Sequence, residues 1–186
     1  NEYKQLGINR LSLGTQSFNN HTLNFLGRSH TASDSLRVYN QARKLGFDNI
    51  NIDLIFNAPN QTLNDWIKDI KNVVELNVEH ISVYSLILEK NTSLPNEDVY
   101  IKMLEFSREY LSNNSYTPYE ITHFSKLNYE CKHNLHYFDL NPYFGFGPSA
   151  HSYDGNKRWW NTPSLQTYIQ KLQNKENPII GSEILS

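Results

Sequence analysis

Asp53, with Asn51 two residues before it, is the first pairing in this chain whose chemistry asks for an explanation. In the run from Asn49 to Phe56, Ile50, Ile52, Leu54 and Phe56 alternate with Asn49, Asn51 and Asp53. Successive side chains of an extended chain point to opposite sides, so the run has one apolar face and one polar face. A carboxylate on the polar face suits the hydroxyls of a ligand, although capping a helix or binding water in a polar core would use the same atoms. Gln16 closes a second alternating run, Arg10 to Gln16, and is a similar candidate with weaker support. Arg28, in Leu26-Gly27-Arg28-Ser29-His30, follows shortly after, close enough along the chain to fold back over Gln16. Its planar fork can bond a carboxylate twice.

Cys131, His133 and His136 invite comparison with a zinc site, but C-x-H-x-x-H does not match the common structural patterns, and a fourth ligand would have to come from His123 or His151. These histidines lie among Tyr137, Phe138, Tyr143, Phe144 and Phe146, a setting that suits a large planar apolar ligand with a metal at its centre, such as haem. An aromatic satellite core with satisfied histidines has the same composition, and on residue types alone it is favoured. Gly145 and Gly147 among these rings suit either a close backbone approach to a flat ligand or a turn.

The elements that must position these residues follow from periodicity. Asn1 to Gly7 reads as a helix tail with a glycine stop, and Arg10 to Gln16 as a strand. Thr31 to Leu45 reads as a helix opened by Thr31-x-x-Asp34, a capping box with Asp for Glu, and Leu36, Tyr39, Ala42 and Arg43 form its inward stripe. Thr62 to Leu76 is a second helix, with Leu63, Trp66, Ile67, Ile70, Val73 and Val74 at helical spacing, and His80 to Leu86 a third strand. Strands alternating with helices argue for parallel βα units. In barrels built that way, function collects at the C-terminal ends of the strands, where Asp53 is expected. Three strands with two crossovers make half a barrel at most, so a preceding segment is expected to cover the open strand edge. Further on, Glu97 to Asn113 is a helix with Tyr100, Met103, Leu104, Tyr110 and Leu111 buried. Tyr116 to Thr122 is a strand if Pro118 sits where no ladder donor is needed, and Pro163 to Leu172 is a short last helix.

Composition narrows the class. The 186 residues, 38% hydrophobic and 19% charged, are ordinary for one sizeable globular domain. A net charge of -2 gives no electrostatic reason to expect nucleic acid or an anionic membrane. One cysteine makes no internal disulfide and suits a reducing compartment. No apolar run approaches a membrane span and the start has no signal-peptide pattern, so the expected location is cytoplasmic.

Taken in order, Gly7 to Phe18, Leu26 to His30, Gly46 to Ile55 and His80 to Tyr84 resemble the radical SAM proteins related to oxygen-independent coproporphyrinogen III oxidase. Tyr119-Glu120-Ile121 followed by Phe124, and Cys131-Lys132-His133-Asn134-Leu135-His136-Tyr137-Phe138, make the chain more similar to the HemW branch, the haem chaperones. That branch typically reads H-N-x-x-Y-W at the second block. Here Phe138 replaces the Trp, which keeps a ring and loses an indole donor.

The resemblance implies an α/β fold: about half of a (βα)6 radical SAM barrel over residues 1–115, then a smaller α+β C-terminal region over 116–186. It implies S-adenosylmethionine across the strand ends, with Gln16 and Asp53 on ribose hydroxyls, Arg28 on the methionine carboxylate and Ile87 near the adenine. A [4Fe-4S] cluster is implied on a C-x-x-x-C-x-x-C loop expected upstream of residue 1, since Cys131 alone cannot hold it. The H-N-x-x-Y motif implies haem binding at His133, Asn134 and Tyr137. The implied function is carriage of haem to haem-accepting proteins. The alternative is radical decarboxylation of coproporphyrinogen III.

Overall fold

A computed structural model describes residues 2–86 and 97–185. The described elements are, in chain order, α1 (Glu2–Gln5), β1 (Leu11–Gln16), α2 (Asn20–Phe25), α3 (Ala32–Lys44), β2 (Ile50–Phe56), α4 (Leu63–Glu75), β3 (His80–Ser85), α5 (Glu97–Asn113), β4 (Thr117–Pro118), β5 (His123–Ser125), α6 (Lys132–Phe138), β6 (His151–Tyr153), β7 (Lys157–Asn161), α7 (Leu165–Gln173) and β8 (Ile179–Ile184). The chain forms two compact units, Asn1–Glu130 and Cys131–Ser186.

In the first unit β1, β2 and β3 are parallel neighbours, as the alternation of strands and helices predicts. Both crossover helices begin at complete capping boxes. Thr31 accepts from the Asp34 N–H while Asp34 bonds back to Thr31, and Thr62 and Asp65 repeat the arrangement. Each box satisfies two backbone donors that a helix start otherwise leaves open. The apolar face of β2 lies beneath these helices, with Ile50, Ile52, Leu54 and Phe56 fully buried, and Ile81 and Val83 continue that face on β3. Trp66, Ile70 and Val73 of α4 and Met103 and Leu111 of α5 close the core. On α5 the buried row is Met103, Ser107 and Leu111. Ser107 belongs inside because it receives the Trp66 Nε1 hydrogen at 2.8 Å, a partner that periodicity cannot reveal.

The Tyr116 to Thr122 segment departs from the expected single strand. It pairs at Thr117–Pro118, turns, and returns as His123–Ser125, which lies antiparallel to β3, so the sheet order is β1-β2-β3-β5-β4. Pro118 sits on the outermost of these strands, where a missing donor costs nothing. β4 and β5 complete the first sheet, within the unit Asn1–Glu130.

The second unit holds α6, α7 and a three-stranded antiparallel sheet, β6-β7-β8, that the sequence pattern does not announce. Gly145 is required by a close approach within the chain itself: a Cβ there would stand 2.1 Å from the His151 carbonyl oxygen. The close approach of the His151 backbone therefore accounts for this glycine without a ligand. Among the described residues no helix is long and apolar enough to cross a membrane.

Candidate functional site

The polar faces of β1, β2 and β3, joined by Tyr119 from the turn before β5, converge on one hydrogen-bonded array. Ser12 Oγ donates to Asp53 Oδ2 at 2.7 Å, and Asn51 Nδ2 donates to Asp53 Oδ1 at 2.8 Å and to Ser12 Oγ at 2.6 Å. With both donor bonds of Asn51 assigned this way, its Oδ1 must accept, from Ser82 Oγ at 3.1 Å and from His80 Nδ1 at 2.6 Å. His80 therefore carries its proton on Nδ1, and its Nε2 accepts from the Tyr119 hydroxyl at 2.6 Å. One carboxylate thus fixes the direction of every bond out to Tyr119. His123 packs beside this line, with ring centroids 5.8 Å from both His80 and Tyr119.

Asp53 is the fourth of the seven β2 residues, opposite Ser82 of β3, so it stands at mid-strand and not at the C-terminal end where sequence reasoning placed it. It is half-buried. Its two oxygens each accept one bond from the protein, and a carboxylate has about four acceptor positions. Room remains for a diol.

Gln16 reaches the same face by an unusual route. The Ser17 N–H bonds the Thr15 carbonyl at 2.8 Å across Gln16, whose φ is +66°. This is the γ-turn of positive φ, rare and strained in a residue with a side chain. The turn brings the Gln16 amide over Gly14, where a Cβ would meet Gln16 Nε2 at 2.7 Å. Gly14 shares its side of the strand with Ser12. Gln16 and Asp53 therefore look onto one polar face, from the adjacent strands β1 and β2, with Gln16 registered against Leu54. Arg28 is exposed on the loop after α2. That loop returns to β1, since His30 Nε2 lies 3.2 Å from the Thr15 carbonyl oxygen. A groove of about 240 Å³ lies between β1 and α3, lined by Ser12, Leu13, Thr15, His30, Asp34 and Val38, and not by Gln16, Asp53 or Arg28. Ile87 lies outside the described residues.

In the second unit His133, Asn134 and Tyr137 are the second, third and sixth residues of α6, and Tyr137 is one turn from each of the other two, on one side of the helix. His133 and Tyr137 meet edge to face at 4.9 Å, and Tyr137 meets Tyr143 at 4.6 Å. His136 is committed elsewhere, to the Pro142 carbonyl at 2.8 Å. His133 is exposed, and so are Phe144 and Phe146. No cluster of three or more metal-ligating side chains occurs among the described residues.

Two buried ionisable groups of the first unit are shifted in opposite ways. Burial, with Arg10 and His123 adding to it, pushes the His80 pKa down to about 3 from 6.5. Burial pushes Asp69 up to about 6 from 3.8, against bonds from Ser17 and Phe18 that favour the charge. For His80 the unfolded chain binds its proton first, so its contribution to stability is lost as pH falls from 6.5 towards 3. For Asp69 the folded chain binds first, so its contribution grows as pH falls through 6 towards 3.8. Between about pH 4 and 6 the two offset. Asp69→Asn should leave His80 unopposed, so that unfolding free energies from urea titrations across this window fall more steeply on acidification than in the wild type, by about 1.4 kcal/mol per pH unit. Parallel profiles would show that Asp69 does not titrate there.

His80, Ser82, Tyr119 and His123 were not singled out from sequence as parts of the polar array. The alternation of His80, Ser82 and Tyr84 was the available signal for β3, whereas Tyr119 is recruited only by the turn between β4 and β5.

Residues 1–73 match the model of the Radical SAM superfamily. The chain is 37% identical over 186 residues to the heme chaperone HemW of Bacillus subtilis, covering 94% of this chain and 49% of that protein. It is 40% identical over 156 residues to the HemW of Buchnera aphidicola subsp. Schizaphis graminum, covering 80% of this chain and 41% of that protein. Among solved structures it is similar to the coproporphyrinogen III oxidase HemN of Escherichia coli, described as a radical SAM enzyme, with a TM-score of 0.81 and 25% identity over 98% of this chain and 47% of that one. The chain spans about half the length of the relatives it matches.

Proposed function

Because this chain belongs to the radical SAM superfamily, in the HemW branch of its coproporphyrinogen oxidase-like group, we propose that the protein is a cytoplasmic haem chaperone that binds haem and passes it to haem proteins. The observation that carries this reading is the 37% identity to a heme chaperone along 94% of the chain. S-adenosylmethionine would be held on the polar strand face, with Asp53 and Gln16 on the ribose hydroxyls and Arg28 on the methionine carboxylate. The fit is chemical: Asp53 keeps acceptor positions for a diol, and the Arg28 loop returns to the end of β1. A [4Fe-4S] cluster belongs to the same reading, with ligands beyond these residues, since Cys131 is the one cysteine.

Haem is held in the second unit by His133, Asn134 and Tyr137. An exposed imidazole standing against a tyrosine ring, with further rings beside it, suits a macrocycle that must be released again. Such a function needs no turnover. Titrating haem into the protein should produce a Soret shift that His133→Ala weakens by tenfold or more. An unchanged titration removes His133 from the site. The second reading, favoured by the similarity to HemN, is oxidative decarboxylation of coproporphyrinogen III. Formation of vinyl product under anaerobic conditions with S-adenosylmethionine would support it over the first.

A further inference from the structure

Asp69 is a carboxylate on the buried face of α4, beside Trp66, Ile70 and Val73, and is 1% exposed. Burying a charge at such a position is costly unless it is bonded. Both of its oxygens are engaged by one short stretch of chain: Oδ2 accepts from Ser17 Oγ at 2.6 Å and Oδ1 from the Phe18 N–H at 2.7 Å. Ser17 is itself fully buried, and its Oγ also accepts from the Asn19 N–H at 3.0 Å. This stretch is the exit of the strained turn centred on Gln16. A glutamine at φ +66° persists only where its surroundings over-determine it, and the residue immediately after it is the one Asp69 grips.

We propose that Asp69 is a positioning residue for the nucleoside site: by clamping Ser17 and Phe18 to α4 it holds the Gln16 turn closed and keeps the Gln16 amide over Gly14, facing Asp53. The proposal rests on the reading of Gln16 as a contact to S-adenosylmethionine. The clamp acts through the backbone and touches no ligand atom itself. With both acceptors removed, the turn relaxes towards ordinary extended geometry and the amide leaves the polar face.

Calorimetric titration with S-adenosylmethionine of wild type, Asp69→Leu, Asp69→Asn, Ser17→Ala, Gln16→Ala and the pair Asp69→Leu with Gln16→Ala tests this. Asp69→Leu should weaken binding about tenfold, within the range of couplings between contacting residues. Asp69→Asn should recover most of the loss, because its Oδ1 still accepts from Phe18. Ser17→Ala keeps the carboxylate and reads the same clamp should Asp69→Leu fold poorly. In the Gln16→Ala background Asp69→Leu should cost nothing more. A purely structural role would lower the melting temperature and add its full loss in that background. That additive result, or wild-type affinity in both Asp69→Leu and Ser17→Ala, overturns the proposal. Failure of the wild type to bind S-adenosylmethionine overturns the reading of the site as well, and is seen before any substitution is made.

Discussion

Asp53→Ala should weaken S-adenosylmethionine binding about 100-fold or more while leaving the chain folded. The size follows from the bonds removed. Hydrogen bonds to a charged group are worth roughly 1.5–3 kcal/mol each, and a carboxylate facing a ribose diol makes two of them. The loss also spreads inside the protein: Ser12 Oγ and Asn51 Nδ2 each lose an acceptor, and Asn51 is what fixes the His80 proton on Nδ1. Asp53→Asn is the informative companion. Its amide can satisfy Asn51 through oxygen, and the Ser12 hydroxyl can turn to accept from it, so the array survives while the charge goes. An intermediate loss of about tenfold is expected there. Calorimetric titration measures both. Equal, undiminished affinity in the two variants would remove Asp53 from the ligand.

The largest stability change is expected at Trp66. It is fully buried, packs against Phe56 with ring centroids 5.3 Å apart, and directs Nε1 to the Met103 carbonyl at 3.1 Å and to Ser107 Oγ at 2.8 Å. It is thus the principal tie between α4 and α5. Trp66→Ala should cost about 3–5 kcal/mol, the range for large aromatic truncations in cores. Against a total of roughly 5–15 kcal/mol for a domain, that brings the first unit near the edge of folding. Trp66→Phe should cost clearly less, because Ser107 Oγ retains its own bond to the Met103 carbonyl at 2.7 Å. Urea denaturation of the three proteins gives the comparison. Near-equal midpoints would mean that the α4–α5 contact does not limit stability.

What could be read beforehand divides along local and non-local lines. Alternation in Asn49 to Phe56 was enough to orient Ile50, Ile52, Leu54 and Phe56 towards the helices, because a period of two admits a single assignment once one face is greasy. The Thr31 cap was legible because a capping box is written within four residues. That Gln16 and Asp53 lie on polar strand sides was legible from the same alternation. The strained turn at Gln16 was not, since it depends on Asp69, which is 52 residues from the Ser17 it binds. Tyr119 was hidden likewise, because its place against His80 exists only once β5 returns antiparallel to β3. The sheet of β6, β7 and β8 gave little signal: Lys157–Asn161 has adjacent Trp159 and Trp160 where alternation would demand a change of character. Gly181 fits there because Trp160 lies across it, 2.5 Å from where a Cβ would stand.

The chain's three tryptophans are also divided unevenly, with Trp66 alone in the first unit and Trp159 and Trp160 together on β7 of the second. Trp66 is shut away from solvent whereas the β7 pair is half-exposed, so their fluorescence differs in colour, blue for the first and redder for the second. Emission followed at two wavelengths during melting therefore reports on each unit separately, with no label attached. Haem captured beside His133 would quench the red component through energy transfer within its own unit, giving an optical signal of loading.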